Sequence, residues 1–137
     1  MGQKQPTRLE RFMREYARPQ SEVARQIERE VFGFSVNSNG YVTLDQAEEL
    51  GRRLGLRRGV HLLELGSGLG WPAIHLVERY GCRTTMTDVP IHAMRASAAR
   101  AEGQGVGDRC AFTVANGVAL PFRTRSFDAV THTDVLC

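Results

Sequence analysis

The chain has 137 residues, which is enough for one domain and too few for two. Its hydrophobic share of 42% and charged share of 24% are typical of a soluble globular protein, and no apolar run approaches the length of a membrane span. The net charge is only +3, and the arginines are interleaved with glutamates rather than with aromatic residues. We therefore predict neither a membrane span nor a nucleic-acid partner.

The cysteines and the N-terminus indicate the compartment. The first residues lack the apolar stretch of a secretory signal. Cys82, Cys110 and Cys137 are widely separated and show no CxxC spacing. This pattern predicts reduced thiols in a cytoplasmic protein, with neither a disulfide framework nor a metal site.

Residues 1–40 are predicted to form a helical extension, or lid. Thr7 and Glu10 have the spacing of a capping box at the start of a first helix, which Pro19 ends. Ser21 can cap a second helix. Four apolar residues share one face of that helix: Val23, Ala24, Ile27 and Val31.

Residues 41–137 are predicted to form the core. Thr43 and Gln46 make a second capping box, which opens another helix. From residue 59, short apolar strands alternate with helices, and this alternation predicts an α/β fold with a parallel sheet and right-handed crossovers. We predict strands over residues 60–65, 84–87, 110–115 and 127–133, and helices over residues 71–80 and from Pro90 onward.

A glycine-rich turn, Glu64 to Gly70, joins the first strand to the next helix. In a dinucleotide fingerprint the third glycine would fall one place later. Trp71 and Pro72 also crowd the helix start and remove one N–H donor that a pyrophosphate would use. The spacing therefore favours a ligand without a phosphate bridge that places an amino-acid moiety at this turn. A purely structural turn is the alternative.

Two further strand ends carry polar residues. Asp88 follows the glycines by about 20 residues, where a carboxylate can accept both hydrogen bonds of a ribose diol; capping of the helix after Pro90 is the simpler role. Asn116 follows the third strand. Because the carboxyl ends of parallel strands meet at one edge, Glu64, Asp88 and Asn116 are predicted to line one crevice.

Four segments, ELGSGLG, TMTDVP, ANGVALPF and SFDAVTHTDVL, together resemble the class I S-adenosylmethionine (SAM)-dependent methyltransferases, especially small-molecule enzymes of the ubiquinone and phosphoethanolamine types. The resemblance covers roughly Gly40 to Cys137. It implies a Rossmann-like sheet, SAM as cofactor, S-adenosylhomocysteine as product and a small-molecule methyl acceptor. The family has seven strands, and about four are predicted here. We therefore expect a chain truncated after the fourth strand, or a homodimer that pairs the open sheet edge.

The resemblance also implies the cofactor contacts. The glycine turn would lie along the methionine part, with Glu64 at its amino group, and Asp88 would hold the ribose. The family usually has aspartate where Asn116 stands, although an amide oxygen can still accept a hydrogen bond from adenine. The full set implied for the cofactor is Tyr41, Thr43, Glu64, Gly66, Ser67, Gly68, Asp88, Val89, Asn116, Gly117 and Thr133.

Methyl transfer mainly requires alignment of the acceptor with the methyl group, and it needs a general base only when the acceptor arrives protonated. The candidate bases are Asp134, which we favour, and His132. Strand alternation allows either His132 or Thr133 to point into the crevice, but not both. Two alternatives stay open: a truncated SAM-binding remnant without activity, and an NAD-dependent oxidoreductase, which the glycine spacing disfavours.

Overall fold

The computed structural model describes residues 5–7, 10–11, 13–14, 17–33, 35–36 and 40–135. Residues 10, 11, 13 and 14 are helical. The further elements, in chain order, are α1 (Glu22–Phe32), α2 (Leu44–Arg53), β1 (His61–Leu65), α3 (Ala73–Tyr80), β2 (Arg83–Asp88), α4 (Ile91–Gly103), a 3₁₀ turn (Gly107–Arg109), β3 (Cys110–Val114) and β4 (Ala129–His132).

The strands form one parallel sheet in the order β3-β2-β1-β4. Leu65, the last residue of β1, is level with Thr87 of β2 and with His132 of β4, so the carboxyl ends of these strands share one edge. The predicted α/β class and parallel sheet are confirmed. The strand boundaries shift by one or two residues, and β4 is shorter than the predicted 127–133.

Local capping occurs as the sequence predicts. The Thr43 side chain accepts a hydrogen bond from the Gln46 main chain, and the Gln46 side chain accepts one from the Thr43 main chain. Thr7 and Glu10 form the same reciprocal pair. Ser21 accepts a hydrogen bond from the main-chain N–H of Ala24 at the start of α1. These caps satisfy N–H groups that a helix start leaves without partners.

The core lies where α3 and α4 pack on β1 and β2. It contains fully buried aliphatic side chains from each of these elements, among them Leu62, Ile74, Leu76 and Met86. The apolar side of α1 behaves differently, because Val23, Ile27 and Val31 are all more than half exposed.

The N-terminal extension contacts the predicted core through a second apolar cluster. Val36, Ala47 and Trp71 are buried together, with Phe32 packed against them. The Arg100 guanidinium of α4 donates a hydrogen bond to the Val36 carbonyl. Packing thus crosses residue 40, and the division into an extension and a core remains a prediction.

Candidate active site

The glycine turn folds back over the end of β2. The main-chain N–H groups of Gly66 and Ser67 both donate to the Thr87 carbonyl, at 2.8 and 3.0 Å. The Gly68 N–H donates to Oδ2 of Asp88 at 2.8 Å. The turn is therefore fixed by the neighbouring strand, and Asp88 is one of the groups that hold it.

Two glycines of this turn have no room for a side chain. Gly66 and Gly70 adopt φ of +67° and +92°, which side-chain-bearing residues rarely adopt. A Cβ at Gly66 would collide with the Val135 side chain, and one at Gly70 would collide with Ile74. The close neighbour at Gly66 is thus a protein side chain, whereas the sequence alone had suggested room for a ligand.

Glu64 is the most unusual side chain of the site. It is fully buried, and its Oε1 lies 3.4 Å from the Thr133 hydroxyl, which donates to it. Its Oε2 is buried and has no hydrogen-bond partner. Burial raises the pKa of Glu64 to about 8, and the hydrogen bond from Thr133 offsets this only partly. The carboxyl is therefore mostly protonated at neutral pH until a positive group approaches it.

The ends of β2 and β3 hold the next group of predicted residues. Asp88 is 7% exposed, and its Oδ1 accepts the N–H of Val89 at 2.7 Å. The Ala115 N–H donates to the Asp88 carbonyl, so the segment after β3 lies beside Asp88. Asn116 is exposed, and its side-chain oxygen accepts the main-chain N–H of Val118 at 3.1 Å. Gly117, between them, is also exposed.

The end of β4 shows which of the two candidates, His132 or Thr133, faces the site. Glu64 is level with the buried Thr131, and Thr133, two residues later, contacts the Glu64 carboxyl. His132 therefore points to the opposite face of the sheet, where it is exposed. Thr133, and not His132, faces Glu64.

The segment 40–43 crosses from the glycine turn to the end of β4. The Tyr41 N–H donates to Oδ2 of Asp134 at 2.7 Å. The indole Nε1 of Trp71 donates to the Val42 carbonyl at 2.9 Å. Thr43 caps α2, and the Tyr41 ring is 87% exposed. Sequence reasoning placed Tyr41, Thr43 and Asp134 near the site but missed both anchoring bonds.

One further site contact carried no signal in the sequence. The hydroxyl of Ser97, buried in α4, donates to the Gly68 carbonyl at 2.9 Å and so supports the turn from beneath. Helices carry many serines, and only the tertiary structure shows which of them reaches a loop.

The residues in the described ranges group no metal ligands and contain no helix suited to a membrane. In them, no three histidine, cysteine, aspartate or glutamate side chains are grouped as metal ligands. No helix in those ranges is both long and apolar enough to cross a bilayer. Cys82 and Cys110 are free thiols, and Cys137 lies outside the described residues.

The sequence pattern of the family described as "Methyltransferase domain" matches residues 62–137, more than half of the chain. The chain belongs to the class I SAM-dependent methyltransferases. The match begins in β1 and includes the glycine turn, Asp88 and the end of β4.

Individual relatives agree with this family. The chain is 36% identical over 76 residues to the ubiquinone/menaquinone biosynthesis C-methyltransferase UbiE of Paracoccus denitrificans, covering 55% of this chain and 30% of the relative. It is 30% identical over 81 residues to the sterol 24-C-methyltransferase ERG6B of Gibberella zeae, covering 59% and 21%. A geranyl diphosphate methyltransferase structure in complex with SAM superposes with a TM-score of 0.60 at 26% identity, covering 64% and 36%. The chain thus spans about a third or less of each of these proteins.

Proposed function

We propose that this chain is the cofactor-binding portion of an enzyme that transfers a methyl group from SAM to a small-molecule acceptor. The proposal rests mainly on the buried carboxyl of Glu64 at the glycine turn. Its Oε2 is buried and has no hydrogen-bond partner. A buried polar atom without a partner is costly unless a ligand satisfies it. The ammonium group of SAM has the charge and the hydrogen-bond donors to do so.

The remaining contacts fit an adenosine. Asp88 lies between the glycine turn and the segment after β3, and each of its carboxylate oxygens can accept a further hydrogen bond from a ribose hydroxyl. Val89 would pack on the adenine, and Asn116 with Gly117 would contact its edge. When bound, SAM supplies an activated methyl group; the protein residues orient it and exclude water.

The acceptor class rests on the relatives. The names of the similar proteins refer to a quinone pathway, a sterol and a prenyl diphosphate, all small molecules. If the acceptor arrives protonated, the exposed His132 would serve as the base. Asp134, the other candidate, already accepts the main-chain N–H of Tyr41. Because strand β4 directs His132 away from Glu64, that role requires an acceptor bound on the opposite face of the sheet.

Calorimetry separates this proposal from its two alternatives. We expect the chain to bind SAM and S-adenosylhomocysteine and to ignore NAD. Binding of NAD alone would contradict the proposal and support an oxidoreductase. Binding of SAM without methylation of quinone, sterol or prenyl acceptors would support a remnant that only binds the cofactor.

Asp88→Ala tests the ribose contact. We expect weaker binding of S-adenosylhomocysteine by about 1–3 kcal/mol, the scale of lost buried hydrogen bonds to a charged group. Since Asp88 also holds the Gly68 N–H, Ser97→Ala is the matched control: it removes another hydrogen bond to Gly68 but no predicted ligand contact. Equal affinity losses in the two variants would mean that Asp88 acts only through the turn.

Assembly and location remain proposals as well. Among the described residues, β4 pairs with β1 on one side and with no strand on the other, and Val130 of this strand is 54% exposed. Such an edge favours pairing with further strands, and a homodimer through it is one solution. Light scattering at increasing concentration would detect the dimer.

A cytoplasmic location is supported by the free thiols of Cys82 and Cys110.

A further inference from the structure

Asp134 has an unusual environment for a residue expected to act as a base. Its backbone lies in the left-handed region with φ of +57°, which aspartate tolerates better than most residues. Its carboxylate accepts the main-chain N–H of Tyr41 at 2.7 Å across a separation of 93 residues. This distance is that of a well-formed hydrogen bond.

The neighbours of this bond locate it beside the proposed cofactor site. Thr133, the preceding residue, contacts the Glu64 carboxyl. Val135, the following residue, packs directly on Gly66 of the glycine turn. The three residues after β4 thus connect the buried carboxyl, the segment 40–43 and the turn.

The segment 40–43 has a second anchor. Trp71, directly after the last glycine of the turn, donates its indole N–H to the Val42 carbonyl and is 6% exposed. Two consecutive residues are therefore anchored: Tyr41 to Asp134 after β4, and Val42 to Trp71 directly after the glycine turn. The bond from Trp71 is partly buried, whereas the bond to Asp134 is exposed to solvent and can open more easily.

We propose that Asp134 is a positioning residue, whose carboxylate fastens the main chain at Tyr41 so that the segment 40–43 retains the cofactor at the glycine turn. This inference rests on the proposed function for its ligand, but the fastening itself is a property of the free chain. A base would depend on the charge of Asp134. A positioning residue that only accepts the Tyr41 N–H depends on its acceptor oxygen, and asparagine has such an oxygen as well.

Two substitutions separate these roles. Asp134→Asn keeps an acceptor oxygen and tolerates the left-handed backbone, but it cannot take a proton. Asp134→Gly removes the acceptor and adopts the same backbone without strain. The matched control is Asp128→Gly, because Asp128 also accepts a main-chain N–H, that of His61 at 2.8 Å, at the opposite end of the sheet.

The first measurement is hydrogen exchange of the Tyr41 amide in the ligand-free chain by NMR. The second is the dissociation rate of S-adenosylhomocysteine by stopped flow. We expect Asp134→Gly to speed both by about tenfold or more, Asp134→Asn to stay near the wild type, and Asp128→Gly to change neither.

Several results would overturn the proposal. If the glycine variant left the Tyr41 exchange rate unchanged, the fastening would be refuted. If exchange increased but dissociation of S-adenosylhomocysteine did not, the fastening would have no role in cofactor retention. Equal losses in the asparagine and glycine variants would mean that charge is required. A chain that bound no S-adenosylhomocysteine at all would instead refute the proposed function, and the exchange result would still stand.

Discussion

Glu64→Gln gives the sharpest test of the buried carboxyl. Burial raises the pKa of Glu64 from 4.5 to about 8, so between these values the folded chain keeps a proton that the unfolded chain releases. The folded state of the wild type therefore loses stability as pH rises through this window, by about 1.4 kcal/mol per pH unit. Glutamine has nearly the same size and does not titrate. We expect the stability of the glutamine variant relative to the wild type to grow by roughly 3 kcal/mol between about pH 5 and pH 7.

Urea unfolding at a series of pH values measures this difference. The fluorescence of Trp71, the only tryptophan of the chain and buried beside the glycine turn, reports unfolding. Other groups titrate alike in the two proteins, so their contributions cancel in the difference. If the difference in free energy of unfolding between the two proteins stayed constant with pH, Glu64 would already be ionised in the folded chain without ligand. Burial would then not raise its pKa.

The same titration predicts a signature of binding. An ammonium group at Glu64 requires the ionised carboxylate, so binding of S-adenosylhomocysteine near neutral pH should release close to one proton per molecule. Calorimetry in buffers of different ionisation enthalpy counts that proton, and the glutamine variant should release none. 5′-Methylthioadenosine lacks the ammonium group and should release no proton from either protein. Proton release with this ligand would place its source away from Glu64.

Two further substitutions test the surroundings of Glu64 and of the turn. Thr133→Val removes the hydrogen bond that lowers the pKa of Glu64, so we expect the folded chain to keep losing stability up to a higher pH. If urea unfolding at each pH gave the same stability as in the wild type, the contact between Thr133 and Glu64 would be excluded. Gly70→Ala should reduce the free energy of unfolding by about 1–3 kcal/mol, because the backbone has φ of +92° and the new methyl group meets Ile74. Gly103→Ala, at the end of α4 with open space around it, is its control and should be neutral or slightly stabilising; similar losses at both glycines would contradict the steric argument.

Much of the fold could be predicted because the signals are local. A capping box such as Thr43–Gln46 needs only neighbouring residues, and strands alternating with helices leave few topologies other than a parallel sheet. Of the site, the glycine turn and Asp88 could be predicted for the same reason. Each follows directly from the end of a strand.

The contacts that hold the site together could not be predicted this way. The bond from Tyr41 to Asp134 and that from Trp71 to Val42 join residues far apart in sequence, and no spacing rule specifies such partners. The sequence alone could not decide whether His132 or Thr133 points into the site. Side chains alternate between the two faces of a strand, and the sequence does not say which of the two sets faces inward. The register of Thr131 against Glu64 selects one of them.

The position of β4 has a consequence for how the chain folds as it is synthesised. β1 can pair with β2 as soon as a short stretch of further chain has emerged, because the two are neighbours in sequence. Its other edge must wait for β4, in which His132 pairs with Leu65. Until then the ribosome-bound chain exposes an unpaired apolar strand that carries Glu64, and pairing across such long separations is slow. The carboxyl that is proposed to recognise the cofactor thus becomes enclosed only after β4 has been made and Thr133 lies beside it.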